Sequence, residues 1–151
     1  MIYAINTLDA EYRERVLRSL REGDGRFGYS YDGQPHIPAG RQRFLNGLKK
    51  NDYVVYINLP VYGKCTLARI EKDGCSWKEP QDEDFNYCFA VDKESICEFD
   101  RNDSCVSGLL STKLKLRGRY WRIYASEDFQ KLLDDIKAGH VGQKGRTPEI
   151  I

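Results

Sequence analysis

Two β-branched and aromatic runs, residues 53–59 and 64–70, stand only four residues apart, and that gap holds Pro60 and Gly63. Val, Ile, Tyr and Thr suit a pleated surface with one face buried. A turn cluster between two such runs predicts a β-hairpin. The pair Asn51-Asp52, directly after Lys49-Lys50, predicts a turn that launches the first strand. Alternation places Val54, Tyr56 and Asn58 on one side of it and Val55 and Ile57 on the other. Val55, Ile57 and Leu67 are expected in the core. An amide and a phenol in line with core positions, ending at a Pro-containing loop, point to a polar pocket in the sheet. The plainer alternative is a rim tyrosine and an asparagine that begins the turn, since Asn near Pro is a common turn signal.

The rest of the chain arranges itself around this hairpin. Residues 2–6 predict a short apolar strand. Asp9 can cap a following helix in which Tyr12, Val16, Leu17 and Leu20 form an apolar stripe. Gly23-Asp24-Gly25 stops that helix. Residues 26–31 suggest a short strand, 32–40 a long loop, and 41–50 a short helix with Phe44, Leu45 and Leu48 on its apolar side. After the hairpin come a turn at Lys72-Asp73-Gly74, an acidic loop over 76–84 with Trp77, and strands over 85–91 and 95–99. Residues 100–107 predict a polar connector, and 109–116 and 119–124 two further strands. Ser126 caps a last helix, with Glu127 and Asp128 in its first turn and Phe129, Leu132, Leu133 and Ile136 on its apolar face. Mostly antiparallel neighbours with peripheral helices predict an α+β fold, a small five- to six-stranded β-barrel.

The chain has 151 residues, enough for one domain with its own core. No apolar run approaches the roughly 18 residues of a membrane helix, so no membrane partner is expected. The five cysteines, Cys65, Cys75, Cys88, Cys97 and Cys105, are odd in number and never spaced Cys-x-x-Cys. They predict buried thiols in a reducing cytoplasm, with no metal site and no disulfide frame. The net charge of +1 conceals an uneven distribution. Residues 71–103 hold 11 acidic and 4 basic residues, a net of −7. Residues 111–124 hold 5 basic ones, Lys113, Lys115, Arg117, Arg119 and Arg122, and no acid. Such basic stretches allow a polyanion-binding face, although a solvated mixed surface is the commoner outcome.

Catalytic machinery is hard to assemble from the sequence pattern. There is no Gly-x-Ser-x-Gly, no phosphate-binding glycine loop and no His-Glu-x-x-His. Acidic pairs such as Asp82 and Asp84 alternate on a loop and could hold magnesium, but such runs are usually solvated. No cofactor and no enzymatic activity are expected. The aromatic residues say more. Phe27, Tyr29, Tyr31, Tyr56, Tyr62, Trp77, Tyr120, Trp121 and Tyr124 cluster at element ends, several beside Arg or Lys. Rings next to cations suit base stacking with phosphate pairing, and the alternative is core packing.

This order of motifs resembles the PUA-like superfamily, and within it the EVE and YTH domains. Residues 45–56 look like that family's basic turn and Tyr-bearing strand. Residues 63–70 look like the strand that follows, 85–92 like its aromatic strand ending in Val-Asp, and 118–136 like its Arg-rich strand and closing helix. The resemblance covers residues 1–138 and leaves 139–151 as a polar linker or tail. Asn51-Asp52 stands where the family has Gly-Asp, Phe27 or Tyr29 replaces an early Trp, and the Asn-and-Arg-rich run of EVE domains is missing. The resemblance implies a nucleic-acid reader that accepts one flipped, often modified, base in an aromatic pocket. Similar domains serve as target-recognition modules of modification-dependent restriction systems, which implies DNA as partner before RNA and an associated effector. The pocket candidates are Tyr29, Ser30, Tyr56, Asn58, Trp77 and Trp121. The phosphate-pairing candidates are Arg26, Arg41, Arg43, Lys113 and Arg119. An RNA-binding module, a metal-dependent nuclease and a protein-interaction domain are the competing expectations.

Overall fold

The two most apolar strands lie side by side in the computed structural model. β1 (Ile2–Asn6) pairs in parallel with β3 (Tyr53–Ile57), Ile2 facing Tyr53 and Asn6 facing Ile57. β3 then pairs antiparallel with β4 (Lys64–Arg69), so the expected hairpin forms. The structure describes residues 1–7, 10–27, 47–77, 87–116, 118, 120–140 and 143–144, with backbone alone at 10–12, 27, 76–77, 87 and 143–144. The expected 32–40 loop, most of the 41–50 helix and of the 76–84 acidic loop, and Asp82 and Asp84 lie outside the described residues.

Around the hairpin grows a six-stranded sheet in the order β8-β1-β3-β4-β7-β9. β7 (Cys97–Asp100) runs antiparallel to β4, and β8 (Tyr120–Ile123) antiparallel to β1. The two-residue β9 (Gln143–Lys144), within the expected tail, adds to β7. A second, antiparallel sheet has the order β2-β6-β5, from β2 (Asp24–Phe27), β6 (Tyr87–Ala90) and β5 (Ser76–Trp77). An isolated bridge between Ile70 and Val91 links it to the end of β4. The described residues also form three α-helices, α1 (Ala10–Arg21), α2 (Gly108–Lys113) and α3 (Ser126–Lys137), and a 3-10 turn over Lys93–Ser95. The N-cap position of α3 is Ala125, with no side-chain cap bond, so Ser126 is its first helical residue and not its cap.

The α+β class therefore stands, whereas the closed barrel does not. The large sheet ends at β8 and β9, which do not pair with each other. Two physical reasons account for this. First, β1 and β3 carry apolar side chains on both faces: Ile2 to Ile5 and Val54 to Ile57 are all buried. A strand buried on both faces reads as a continuous apolar run and needs cover on each side. Second, the 109–116 stretch expected as a strand is helical. Ser107 caps α2, its hydroxyl accepting the Leu110 N–H at 3.0 Å, and Leu110 and Leu114 fall on one face, four residues apart.

The cover differs on the two faces. On one, Val16, Leu17 and Leu20 of α1 join Phe89 and Val91 of the small sheet region over Tyr3, Ile5, Val54 and Tyr56. On the other, Leu110 and Leu114 together with Phe129, Leu132 and Ile136 of α3 cover Ile2, Ala4, Val55, Ile57 and Leu67. The expected core residues Val55, Ile57 and Leu67 are thus buried, and so is the opposite face. α3 presents its predicted stripe, and α1 presents Val16, Leu17 and Leu20 of its own, the Tyr12 side chain lying outside the described residues. Their burial supplies the main stabilisation, because apolar area removed from water is the dominant favourable contribution to folding.

Candidate functional site

β1 and β3 form a parallel pair, so their C-terminal ends lie together. β1 ends at Asn6 and β3 runs into Asn58. Thr7 locks the two ends: its hydroxyl donates to the Ile57 carbonyl at 2.6 Å, and its N–H donates to the same oxygen at 3.0 Å. Asn58 has a backbone φ of 63°, the left-handed region that Asn tolerates better than most residues. From there its Oδ1 accepts the Gly63 N–H at 3.0 Å, clamping the loop between β3 and β4. Gly63 itself has φ of 89° and open space where a Cβ would stand, so conformation alone demands glycine. Thr66, fully buried, donates to the Leu59 carbonyl at 2.9 Å and holds the same loop from beneath.

A cleft of about 520 Å³ opens at this end of the sheet. Asn6, Ile57, Asn58, Tyr62, Arg101, Lys115, Leu116 and Gly118 line it. The two amides touch: Asn58 Nδ2 donates to Asn6 Oδ1 at 3.4 Å, and Asn6 Nδ2 donates to the Gly118 carbonyl at 3.2 Å. Each amide nitrogen carries a second hydrogen not used in these bonds. Tyr62 is 71% exposed, a large ring left in solvent. The Arg101 guanidinium lies against it, 5.0 Å from the ring centroid, within cation–π range. Arg101 itself is 8% exposed. Below it, burial pushes the Cys65 thiol up to about 12, and the positive charge of Arg101 offsets part of that rise.

Of the residues expected to contact nucleic acid, Asn58 is in this cleft. Tyr56 and Arg26 come together elsewhere. Tyr56 is fully buried among the residues facing α1, and neither residue lines the cleft. A ring with no exposed surface stacks on nothing from solvent, so Tyr56 serves the fold in this conformation. Burial also pushes its phenol far above the usual range, against the Arg26 backbone bond and charge that pull it down. Trp121 is half-buried against the core, its indole N–H on the Lys113 carbonyl at 3.0 Å. Lys113 ends α2, half-buried. Tyr29, Ser30, Arg41, Arg43 and Arg119 lie outside the described residues, and Trp77 is described by its backbone in β5.

The basic run is split. Lys115 lines the cleft, whereas Arg122 sits opposite Tyr3 toward the far end of β8, its guanidinium 4.5 Å from the Tyr124 ring centroid. Asn6, Tyr62 and Arg101 carry the cleft without having been selected as contacts from the sequence. Tyr62 belongs to the aromatic set already singled out. Asn6 had a usable signal, since it ends an apolar strand just as Asn58 does. Arg101 had none, because it stands in an acid-rich connector. Among the described residues no cluster of three or more His, Cys, Asp or Glu side chains is arranged to hold a metal. No described helix is long and apolar enough to cross a membrane.

No protein-family model, no curated protein and no solved structure matches the chain.

Proposed function

We propose that this domain is a non-catalytic nucleic-acid reader that accepts one flipped, modified nucleobase, in DNA before RNA. On this reading it is the recognition part of a modification-dependent restriction or defence system and works in the cytoplasm beside an effector. The observation that carries the proposal is the pairing of exposed Tyr62 with Arg101 at a cleft that two asparagine amides also line. The cleft is of the size that takes a small ligand, in the range of about 300–1,000 Å³. Extruding a base from a duplex costs a few kcal/mol. Stacking on an aromatic side chain returns about 1–3 kcal/mol per base. Asn58 and Asn6 present the donor and acceptor pattern that reads a base edge, and Leu116, 41% exposed, offers an apolar wall to a methyl group. Lys115 adds a mobile charge for a flanking phosphate.

The resemblance to EVE and YTH domains points the same way, with the working pocket moved from Tyr56 to the Tyr62 side of the hairpin. The five cysteines form no disulfide, which agrees with a reducing compartment. The test is a set of anisotropy titrations with duplex DNA bearing one modified base, its unmodified twin, single-stranded DNA and RNA, each over a salt series. The reading expects a preference for one modified duplex and an affinity that falls steeply with salt. Equal, salt-insensitive binding to all of them, or none to any, rejects it. A preference for unmodified RNA moves the RNA-module reading ahead.

A further inference from the structure

The guanidinium of Arg101 is a buried cation with most of its donors idle. Arginine carries five N–H donors in a planar fork. Here Nη1 reaches one acceptor, the Leu114 carbonyl, at a long 3.4 Å. Nε is sealed from solvent with no hydrogen-bond partner. No hydrogen bond or ion pair is made by Nη2 either. The edge formed by Nε and Nη2 is the one that grips a carboxylate or phosphate with two parallel bonds. It is this edge that has no acceptor.

The nearest acids in the chain do not neutralise the charge. Asp100 is turned toward Lys64, 3.8 Å from its Nζ, and its other oxygen accepts the Asn102 N–H at 2.8 Å. Asp103 caps its own turn, accepting the Cys105 N–H at 2.8 Å. The neighbouring thiol of Cys65 stays protonated, its titration pushed up to about 12. Burying a charge without a counter-charge is costly, and so is a buried donor without an acceptor. Both costs fall away when an oxyanion seats at the floor of the cleft. Nε is closed to a water-sized oxygen in this conformation, so an oxyanion that takes both bonds requires the guanidinium to turn toward the cleft that it lines with Tyr62 and Lys115.

We infer that the floor of the cleft is a phosphate subsite, with Arg101 as its bidentate ligand and Lys115 as its second charge. The inference deepens the reader proposal, in that the phosphate is the one carried by the nucleotide whose base meets Tyr62. It also stands without it, since a free nucleotide offers the same group. The test uses the full chain in four titrations: a deoxynucleoside, its 5′-monophosphate, inorganic phosphate as competitor, and the DNA duplexes above. The monophosphate is expected to bind about tenfold or more tighter than the nucleoside, as charge-assisted bidentate bonds imply, and phosphate to displace it. Arg101→Lys keeps the charge and loses the fork, so it should lose most of that preference while Lys115→Gln loses part of it. Should Arg101→Lys fail to fold, the wild-type preference and the Lys115→Gln variant decide. Equal affinity for nucleoside and monophosphate, no binding of either, or a preference untouched by both variants overturns the subsite. DNA binding with no such preference leaves the reader standing and the subsite rejected. A clear preference with no DNA binding does the reverse.

Discussion

The Tyr56 hydroxyl clasps the Arg26 peptide from both sides, donating to the Arg26 carbonyl at 3.0 Å and accepting the Arg26 N–H at 2.9 Å. One residue is in the central strand of the large sheet, the other in β2 of the small sheet. The bond pair therefore joins the two sheets through a fully buried ring, in addition to the Ile70–Val91 bridge.

Replacing Tyr56 by Phe keeps the ring and removes only this clasp. Two polar backbone groups of β2 lose their partner. A net loss of about 1–3 kcal/mol is expected, from two hydrogen bonds of ordinary worth. Urea denaturation checks it. An unchanged midpoint would mean that water replaces the hydroxyl without cost and that β2 is held by β6 alone.

Ile57 tests the other face. It is 1% exposed and packs with Cys65, Leu67 and Phe99 under the α2–α3 cover. Ile57→Ala should cost about 2–5 kcal/mol in the same assay. A loss near zero would contradict burial on this face. Since Ile57 also borders the cleft, weaker ligand binding by a variant that still folds is expected alongside.

The hairpin, α1 and α3 are legible in the sequence because short-range signals decide them: β-branched runs around Pro60 and Gly63, and apolar spacing in the helices. Burial of β1 and β3 on both faces escapes the sequence reading: the run from Tyr53 to Ile57 shows no polar alternation, but a hairpin reading favours one wet face. The α2 segment misleads because six residues give less than two turns of periodicity, and the Ser107 cap is the stronger signal. The cleft is hardest to foresee. It brings together Asn6, Asn58, Arg101 and Lys115, and Asn6 and Arg101 become neighbours only through the parallel pairing of β1 with β3 and the return of β7 along β4.

Alkaline pH probes the buried acids. Tyr56 and Cys65 ordinarily titrate near 10.0 and 9.0, and burial holds both above these values in the fold, Cys65 up to about 12. Both groups are neutral in the folded chain and ionise in the unfolded one. Above about pH 9 the unfolded chain thus binds fewer protons, and stability falls as pH rises. The stabilising contribution is complete below the unfolded values and is lost on the way up to the folded ones. Cys65 alone accounts for up to about 1.4 kcal/mol per pH unit in that window. Urea midpoints measured from pH 8 to 11 should decline, and Cys65→Ala should decline less steeply. Parallel curves for the two proteins would place the Cys65 thiol in contact with water.

Tyr62 separates function from fold. With 71% of its surface in solvent, it adds little to the core, so Tyr62→Ala should leave the urea midpoint within the small range usual for surface substitutions. Its ring is nonetheless the exposed aromatic face of the cleft, backed by Arg101 at 5.0 Å. If a base stacks there, losing the ring removes about 1–3 kcal/mol of binding. That loss should fall on the modified-base preference, because stacking and edge reading belong to the cleft. The salt-dependent part should persist, since on the proposed reading phosphate pairing falls to the cations and not to this ring. Tyr62→Phe should bind nearly as wild type if stacking is what matters, and as weakly as Tyr62→Ala if the hydroxyl is the contact. Anisotropy titrations of all three proteins against the modified duplex and its twin decide it. An affinity ratio unchanged in Tyr62→Ala would remove this ring from the site and, with it, the main support for base recognition at this end of the sheet.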